Sequence, residues 1–289
     1  MARRTGTGQV LVLGLPLIAL AILIVGPLLA TVVVSFWEKQ ALGMRPGFTL
    51  KSYTLFFEGV RLTVLLKTFW VAVSATALML PMAYAAAWAV AFRLPERQAR
   101  IVLFLFAVPF LVNYIVRTFA WSDILSRTGP FNRALQAAGL TAGPVDWLLY
   151  SDFSVYLGLI TAYMPFMIFP IWLALAGIDR RYLEASWMLG EPPLGTFCRV
   201  TLPLSIPGVV AAVIFGLVGC FGEVAVPLIL GGTGYQLVGN AITSALDVLN
   251  FPLAAAVSSV AIAVMLSLLV AWYSFFDLRL FLGKIMGRL

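Results

Sequence analysis

The chain alternates between long apolar runs and short polar segments, and six of the runs are about twenty residues long or longer. A hydrocarbon core of about 30 Å needs roughly 20 helical residues to cross it. The runs therefore predict six transmembrane helices, at 10–36, 64–92, 99–121, 154–177, 205–230 and 251–276. No long polar linker divides the sequence, so we predict one integral membrane domain over residues 1–289. The expected fold class is an all-α integral membrane protein.

Composition supports this prediction, because 62% of the residues are hydrophobic and only 11% are charged. A water-soluble core is therefore not expected. The first apolar run resembles a secretory signal at first sight, but the stretch from Val10 to Trp37 is longer than such a signal usually is. No cleavage site of small residues closes it. We therefore interpret the run as an uncleaved first span.

The net charge of +7 predicts an orientation in the membrane rather than a nucleic-acid partner. Most basic residues lie beside or between the apolar runs, where they set topology and contact lipid headgroups. With the N-terminus inside, eleven of the nineteen fall on the cytoplasmic side: Arg3, Arg4, Arg93, Arg97, Arg100, Arg180, Arg181, Arg199, Arg279, Lys284 and Arg288. This bias predicts a cytoplasmic location for both termini and for the segment 178–204.

The sequence lacks several motifs and residue types that enzymes and metal sites use. There is no Walker-type phosphate-binding motif, so the chain is not expected to hydrolyse ATP itself. There is no histidine, which removes the commonest general base and the commonest metal ligand. The two cysteines, Cys198 and Cys220, suggest neither a disulfide framework nor a metal site. We therefore predict a non-enzymatic chain with no catalytic and no metal-binding residues.

The segment "DRRYLEASWMLGEPPLGTFCRVTLP" (179–203) combines charge, glycine and proline between two spans. It predicts a short helix with Leu183, Trp187 and Met188 on one face, ended by Gly190. The prolines that follow prevent its continuation, and "LGTFCRV" can begin a second short helix. An ordinary connecting loop would be shorter and more polar. A docking surface is therefore the favoured interpretation.

This segment resembles the EAA loop of permease subunits of binding-protein-dependent ABC importers. The family pattern is Glu-Ala-Ala, three residues, Gly, nine residues, Ile, any residue, Leu-Pro. The matching positions are Glu184, Ala185, Ser186, Gly190, Val200, Leu202 and Pro203, with Ser for the second Ala and Val for Ile. The resemblance implies the type I importer (MetI-like) fold, with the EAA loop over 179–204. In that family the loop is a cytoplasmic coupling helix that sits in a cleft of the ATPase subunit.

Two further stretches, "NYIVRTFAW" (113–121) and "GEVAVPLILGG" followed by "VGNAI", resemble the spermidine/putrescine branch of these permeases. The second departs from the branch, where Glu-Phe-Val-Thr-Pro or a similar run is expected. The resemblance implies a polyamine such as spermidine or putrescine as the solute. Related branches import iron, thiamine, aminophosphonates, or opine-like and amino-acid-like solutes, and these alternatives stay open.

The resemblance also implies partners and a location. Two ATPase subunits would carry ATP and magnesium, and the chain itself would bind no cofactor. A second permease subunit, expected to be a homologous but different chain, would complete the path, and an extracytoplasmic binding protein would deliver the solute. The complex would lie in the bacterial inner membrane and work by alternating access.

Three residues are candidates for the translocation path or gate. Glu223 is the one acidic residue within a predicted span, where an ionisable group is costly and usually faces a cavity or a partner. It could favour a cationic solute, or it could fix the packing between helices. Asn113 and Arg117 share one helix face at the outer end of the third span. Arg117 could contact the gate, a docking protein or lipid phosphate.

Two other classes of function compete with an importer subunit. A transporter driven by an ion gradient usually needs several intramembrane carboxylates or an inverted repeat, and the predicted spans contain one carboxylate and no evident repeat. A membrane enzyme would lack the usual catalytic residues, because the sequence has no histidine and no paired intramembrane carboxylates. Both are less favoured than the importer.

Overall fold

The computed structural model describes residues 7–41 and 43–275. Within them the chain is almost wholly helical, because a helix satisfies its own backbone hydrogen bonds inside lipid. The helices are α1 (Thr7–Val34), α2 (Lys51–Phe57), α3 (Val60–Phe92), α4 (Glu96–Leu111), α5 (Tyr114–Leu125), α6 (Pro130–Ala137), α7 (Asp152–Ala176), α8 (Arg180–Met188), α9 (Pro193–Thr196), α10 (Leu202–Phe221), α11 (Ala225–Leu230), α12 (Val238–Asp247) and α13 (Phe251–Phe275). A 3₁₀ turn covers Asp146–Leu148, and a π-helical turn covers Phe197–Thr201.

The helices confirm a multi-pass membrane protein. Among the described residues, four helical stretches are long and apolar enough to cross a membrane: Val60–Phe92, Asp146–Ala176, Pro193–Phe221 and Phe251–Ser274. A bent pair, Glu96–Pro109 with Tyr114–Ala137, makes a fifth crossing if it is counted as one span. Ile18–Val34, in the first predicted span, is a shorter apolar helix. Six crossings therefore stay a prediction.

The predicted span 99–121 is wrong as a single helix. It breaks at Val112, which has an extended backbone (φ −97°, ψ 131°), and the two halves are bent by 88°. The Asn113 side chain explains the break, because its Oδ1 accepts a hydrogen bond from the Ile115 N–H at 2.9 Å and caps α5. An N-cap residue of this type starts a new helix at its own position.

The predicted span 205–230 also differs from the structure at both ends. It breaks after Phe221, and α11 begins only at Ala225. At the other end, the short helix predicted from "LGTFCRV" is not separate, because α9, the π-helical turn and α10 form one continuous helical stretch. Pro203 lies in the first turn of α10, where a proline is tolerated, and it does not interrupt this path.

The contacts divide the described residues into two compact units, and the first contains those up to Leu62 together with Ala241–Ala263. In this unit, α1 is followed by an antiparallel hairpin of β1 (Glu38–Gln40) and β2 (Gly43–Arg45). The Ser35 and Tyr53 hydroxyl groups lie 2.7 Å apart, and Phe56 of α2 is fully buried. These contacts fix the connection that follows α1.

The second unit contains Thr63–Asn240 and the described residues from Val264 onward. The antiparallel pair of α7 and α10 forms its core. Buried residues of α7, Ile168 and Ile171 among them, and of α10, Val213 and Leu217 among them, form this apolar layer. The candidate functional residues all lie in this unit. A single domain over 1–289 stays a prediction.

The predicted orientation depends partly on both tails. Their basic residues, Arg3, Arg4, Arg279, Lys284 and Arg288, lie outside the described residues. A cytoplasmic location of the two termini therefore stays a prediction.

Candidate functional site

Residues 179–201, here called the knuckle, form a helix, a tight turn and a second helical segment. Asp179 caps α8, since its Oδ1 accepts from the Arg181 N–H at 2.9 Å. At the other end, Gly190 has a φ of +82° and donates its N–H to the Trp187 carbonyl at 2.9 Å, while the Glu191 N–H donates to the Ser186 carbonyl at 3.2 Å. This pair of bonds is a Schellman motif, which favours glycine at the left-handed position. The predicted helix end at Gly190 is confirmed.

Side-chain contacts hold the two arms of the knuckle together. The hydroxyl groups of Ser186 and Thr196 lie 3.0 Å apart, and both residues are buried. Glu191 and Arg199 form an ion pair across the turn. The serine that departs from the family pattern therefore has a structural partner on the second arm.

On α8, Leu183 is buried with Ser186, whereas Trp187 and Met188 are exposed. Leu183 and Trp187 line the same cavity, as expected for two residues predicted on one helix face. The exposed apolar tip consists of Met188 (88% exposed) and Leu189 (86%). Among the other motif residues, Glu184, Ala185, Leu202 and Pro203 are exposed and Val200 is half-buried.

The three predicted path residues lie in the wall of one cavity of about 470 Å³. Asn113 and Arg117 contribute from α5 and its cap, and Glu223 contributes from the break between α10 and α11. Both helix breaks that the sequence did not predict therefore open onto this space. We call it the translocation cavity, after the role that is proposed for it below.

Glu223 is 4% exposed, and the protein itself supplies its hydrogen-bond donors. Its Oε1 accepts from the backbone N–H groups of Val224, Ala225 and Val226 at 3.0, 2.8 and 3.2 Å. Its Oε2 accepts from the hydroxyl group of Tyr163. A carboxylate has about four lone-pair positions. Oε1 thus fixes the start of α11, and Oε2 uses one of its two lone pairs to link the break to α7 through Tyr163.

Arg117 faces the same cavity without contacting Glu223 directly. Its Nη1 donates to the Pro109 carbonyl group at 2.7 Å. This carbonyl group lies near the end of α4, where the hydrogen bonds within the helix end. The ion pairs within the described residues are Arg127 with Asp146 and Arg199 with Glu191. Arg117 therefore braces the bend between α4 and α5 and adds a positive charge to the cavity wall.

Tyr163 was not predicted from the sequence, although it ties α7 to Glu223. Its ring packs closely against Gly219 of α10, where an added Cβ atom would lie 2.3 Å from two of the ring carbons. Asn240 was missed as well, and its Nδ2 donates to the Val224 carbonyl at 2.9 Å beside the break. A tyrosine in an apolar run usually needs a partner for its hydroxyl group, which is a weak signal for pairing with the one carboxylate in a predicted span.

Similarity to known proteins identifies the family of the chain. Residues 80–281 match the family described as "Binding-protein-dependent transport system inner membrane component". The chain belongs to this family. It is therefore the non-catalytic, multi-pass inner-membrane permease of an importer, and this membership implies ATPase and periplasmic binding-protein partners.

Two relatives and one solved structure extend the comparison. The permease is 33% identical to the spermidine/putrescine transport system permease protein PotB of Escherichia coli, over 78% of this chain and 82% of that protein. It is 30% identical to the inner membrane ABC transporter permease protein YdcU of Escherichia coli, over 95% of this chain and 90% of that protein. A bacterial ABC transporter that imports alginate has a chain of the same fold, with a TM-score of 0.72 and 15% identity, covering 92% of this chain and 94% of that one.

Proposed function

We propose that this permease carries a polyamine such as spermidine or putrescine across the inner membrane by alternating access. The observation that carries the proposal is the translocation cavity, because it joins Asn113, Arg117 and Glu223 at two helix breaks. Irregular backbone at membrane depth is tolerated where it lines a cavity, and such breaks mark binding sites in transporters. Similarity to a spermidine/putrescine permease supports the choice of solute.

In this proposal the knuckle binds an ATPase subunit on the cytoplasmic side. Met188 and Leu189 offer an exposed apolar tip, and Glu184 and Ala185 lie beside it on the same exposed helix. The two hydrogen-bonded arms make the knuckle rigid enough to transmit a movement of the ATPase to α10, into which it continues without interruption. Two ATPase subunits carry ATP and magnesium, and this chain binds no cofactor.

The remaining parts of the assembly follow the same scheme. A second permease subunit, homologous but different in sequence, completes the path. A binding protein delivers solute from outside, and both termini of this chain lie in the cytoplasm. The chain then crosses the membrane six times.

The cavity wall supports a cationic solute in two ways. Glu223 contributes a carboxyl group to the wall, and the rings of Tyr163 and Phe166 line the same space. Aromatic faces attract ammonium groups. Arg117 favours a second candidate, a zwitterionic aminophosphonate, because a guanidinium group binds phosphonate-like oxygens well.

Uptake by the reconstituted complex tests this proposal. Proteoliposomes contain the permease with its partner permease and ATPase subunits, ATP inside, and the binding protein outside with labelled spermidine. We expect ATP-dependent uptake that unlabelled putrescine inhibits and 2-aminoethylphosphonate does not. Inhibition by the phosphonate alone would favour the second candidate. Uptake driven by a proton or sodium gradient without ATP would contradict the importer mechanism.

A further inference from the structure

Two neighbouring cavities lie at the end of the bundle that carries the knuckle, away from the translocation cavity. One, of about 350 Å³, lies between the end of α3 and the knuckle. The other, of about 710 Å³, runs along the surface of α3 against α10. They share Trp88, Arg93 and Phe197 in their walls. We call the pair the lateral groove.

The larger cavity is apolar. Its wall includes Leu80, Ala85 and Val209, and the hydroxyl group of Tyr84 is already hydrogen-bonded to Ser205 at 2.8 Å. From Leu80 to Arg93 the helix rises by about 20 Å at 1.5 Å per residue. Half of a hydrocarbon core is about 15 Å thick. The groove therefore has the length and the surface that suit an acyl chain of one leaflet.

The smaller cavity is lined by charged side chains, and more of them are positive than negative. Arg93 and Arg180 line it against a single carboxylate, Glu184. Neither arginine lies within 4 Å of an acidic group among the residues that the structure describes. The Arg93 guanidinium is held over the Trp88 ring, 5.1 Å from its centroid, at the mouth of the apolar part. Two exposed arginines at the end of an apolar groove suit a phosphate group at the membrane surface.

We propose that the lateral groove binds one anionic phospholipid, with its phosphate on Arg93 and Arg180 and an acyl chain along α3. The site does not depend on which solute is carried. Because Arg180 and Glu184 belong to α8, the lipid headgroup contacts the knuckle itself and links the membrane to the coupling surface.

Lipid titration of the purified complex tests the proposal. The complex is exchanged into phosphatidylcholine–detergent micelles, and bound dioleoylphosphatidylglycerol is counted by native mass spectrometry. We expect one tightly bound phosphatidylglycerol at this chain. Arg93→Gln weakens its binding about tenfold, the change expected when a hydrogen bond to a charged group is lost. Arg93→Lys, which keeps the charge, weakens it less.

Two further variants separate the parts of the site. Ala85→Phe fills the apolar groove and abolishes tight binding, whereas Arg97→Gln removes an exposed charge that does not line the groove and leaves binding unchanged. Equal binding of phosphatidylcholine, or undiminished phosphatidylglycerol binding by Arg93→Gln, would overturn the proposal. Displacement by glycerol 1-phosphate at matched concentration would also overturn it, because the acyl chain would then contribute nothing. A complex that binds no phosphatidylglycerol here, as expected if the partner permease covers the groove, would overturn the proposal too.

Discussion

The knuckle and the translocation cavity differ in where their polar groups and apolar side chains lie. In the knuckle, hydrogen bonds hold the backbone in shape, while the side chains of Met188 and Leu189 are exposed. In the cavity, the carboxyl group of Glu223 is buried and accepts four hydrogen bonds from the protein, three on Oε1 and one on Oε2. An exposed apolar tip on a rigid support suits docking, and a buried polar group held by hydrogen bonds suits the wall of a path. The difference predicts that knuckle variants alter coupling, whereas cavity variants alter stability and the uptake of solute.

The largest effect on transport is expected from Gly190→Val. A β-branched residue at φ +82° costs about 1–2 kcal/mol and moves the turn that presents the tip of α8. We expect ATP-driven uptake to be nearly lost while the protein remains inserted and folded. Gly190→Asn is the matched control, since asparagine tolerates the left-handed conformation. Normal uptake by the Val variant would refute the docking role.

The largest effect on stability is expected from Glu223→Ala. It leaves three backbone N–H groups and the Tyr163 hydroxyl group without their acceptor, so the free energy of unfolding should fall by about 3 kcal/mol. Glu223→Gln keeps an acceptor oxygen and should weaken uptake of a cationic solute more than stability. Thermal unfolding in detergent measures both variants. Asp123→Asn, at an exposed carboxylate, is the control, and an equal loss in the control would contradict the assignment.

A smaller loss is expected from Gly219→Ala. The added methyl group would overlap the Tyr163 ring and push its hydroxyl group away from Glu223. Overpacking of this kind costs about 2 kcal/mol. Gly234→Ala adds the same methyl group where no atom lies within 4 Å and should leave the unfolding temperature unchanged. If both variants unfold at the wild-type temperature, the close contact is not needed.

The smallest effect is expected from Ser186→Ala. It restores the family pattern but leaves the buried Thr196 hydroxyl group unpaired, at a cost of about 1 kcal/mol. Coupled ATP hydrolysis should persist, because the exposed tip is untouched. The double variant Ser186→Ala with Thr196→Val removes both partners and should regain stability. A double variant less stable than the single one would argue against the pairing.

The sequence predicted what depends on local chemistry. Glycine and proline at fixed positions predicted the end of α8, and apolar runs predicted most spans. It did not predict the two helix breaks, because Asn113 and Gly222 stand in apolar surroundings that are equally compatible with a continuous helix. Tyr163 could not be predicted as the partner of Glu223 for a different reason. Tyr163 is sixty residues away, and only the close packing of α7 on α10 brings the two together.

ATP bound by the partner subunits is expected to act through the knuckle and to change access to the translocation cavity. Val112 lines the cavity and is partly exposed, so Val112→Cys in a Cys198→Ser background reports access to a water-soluble thiol reagent. We predict that the labelling rate differs between the nucleotide-free complex and the complex trapped with ATP and vanadate. The difference should disappear when Gly190→Val is added. Equal labelling rates in the two states of the complex with Gly190 intact would contradict the account.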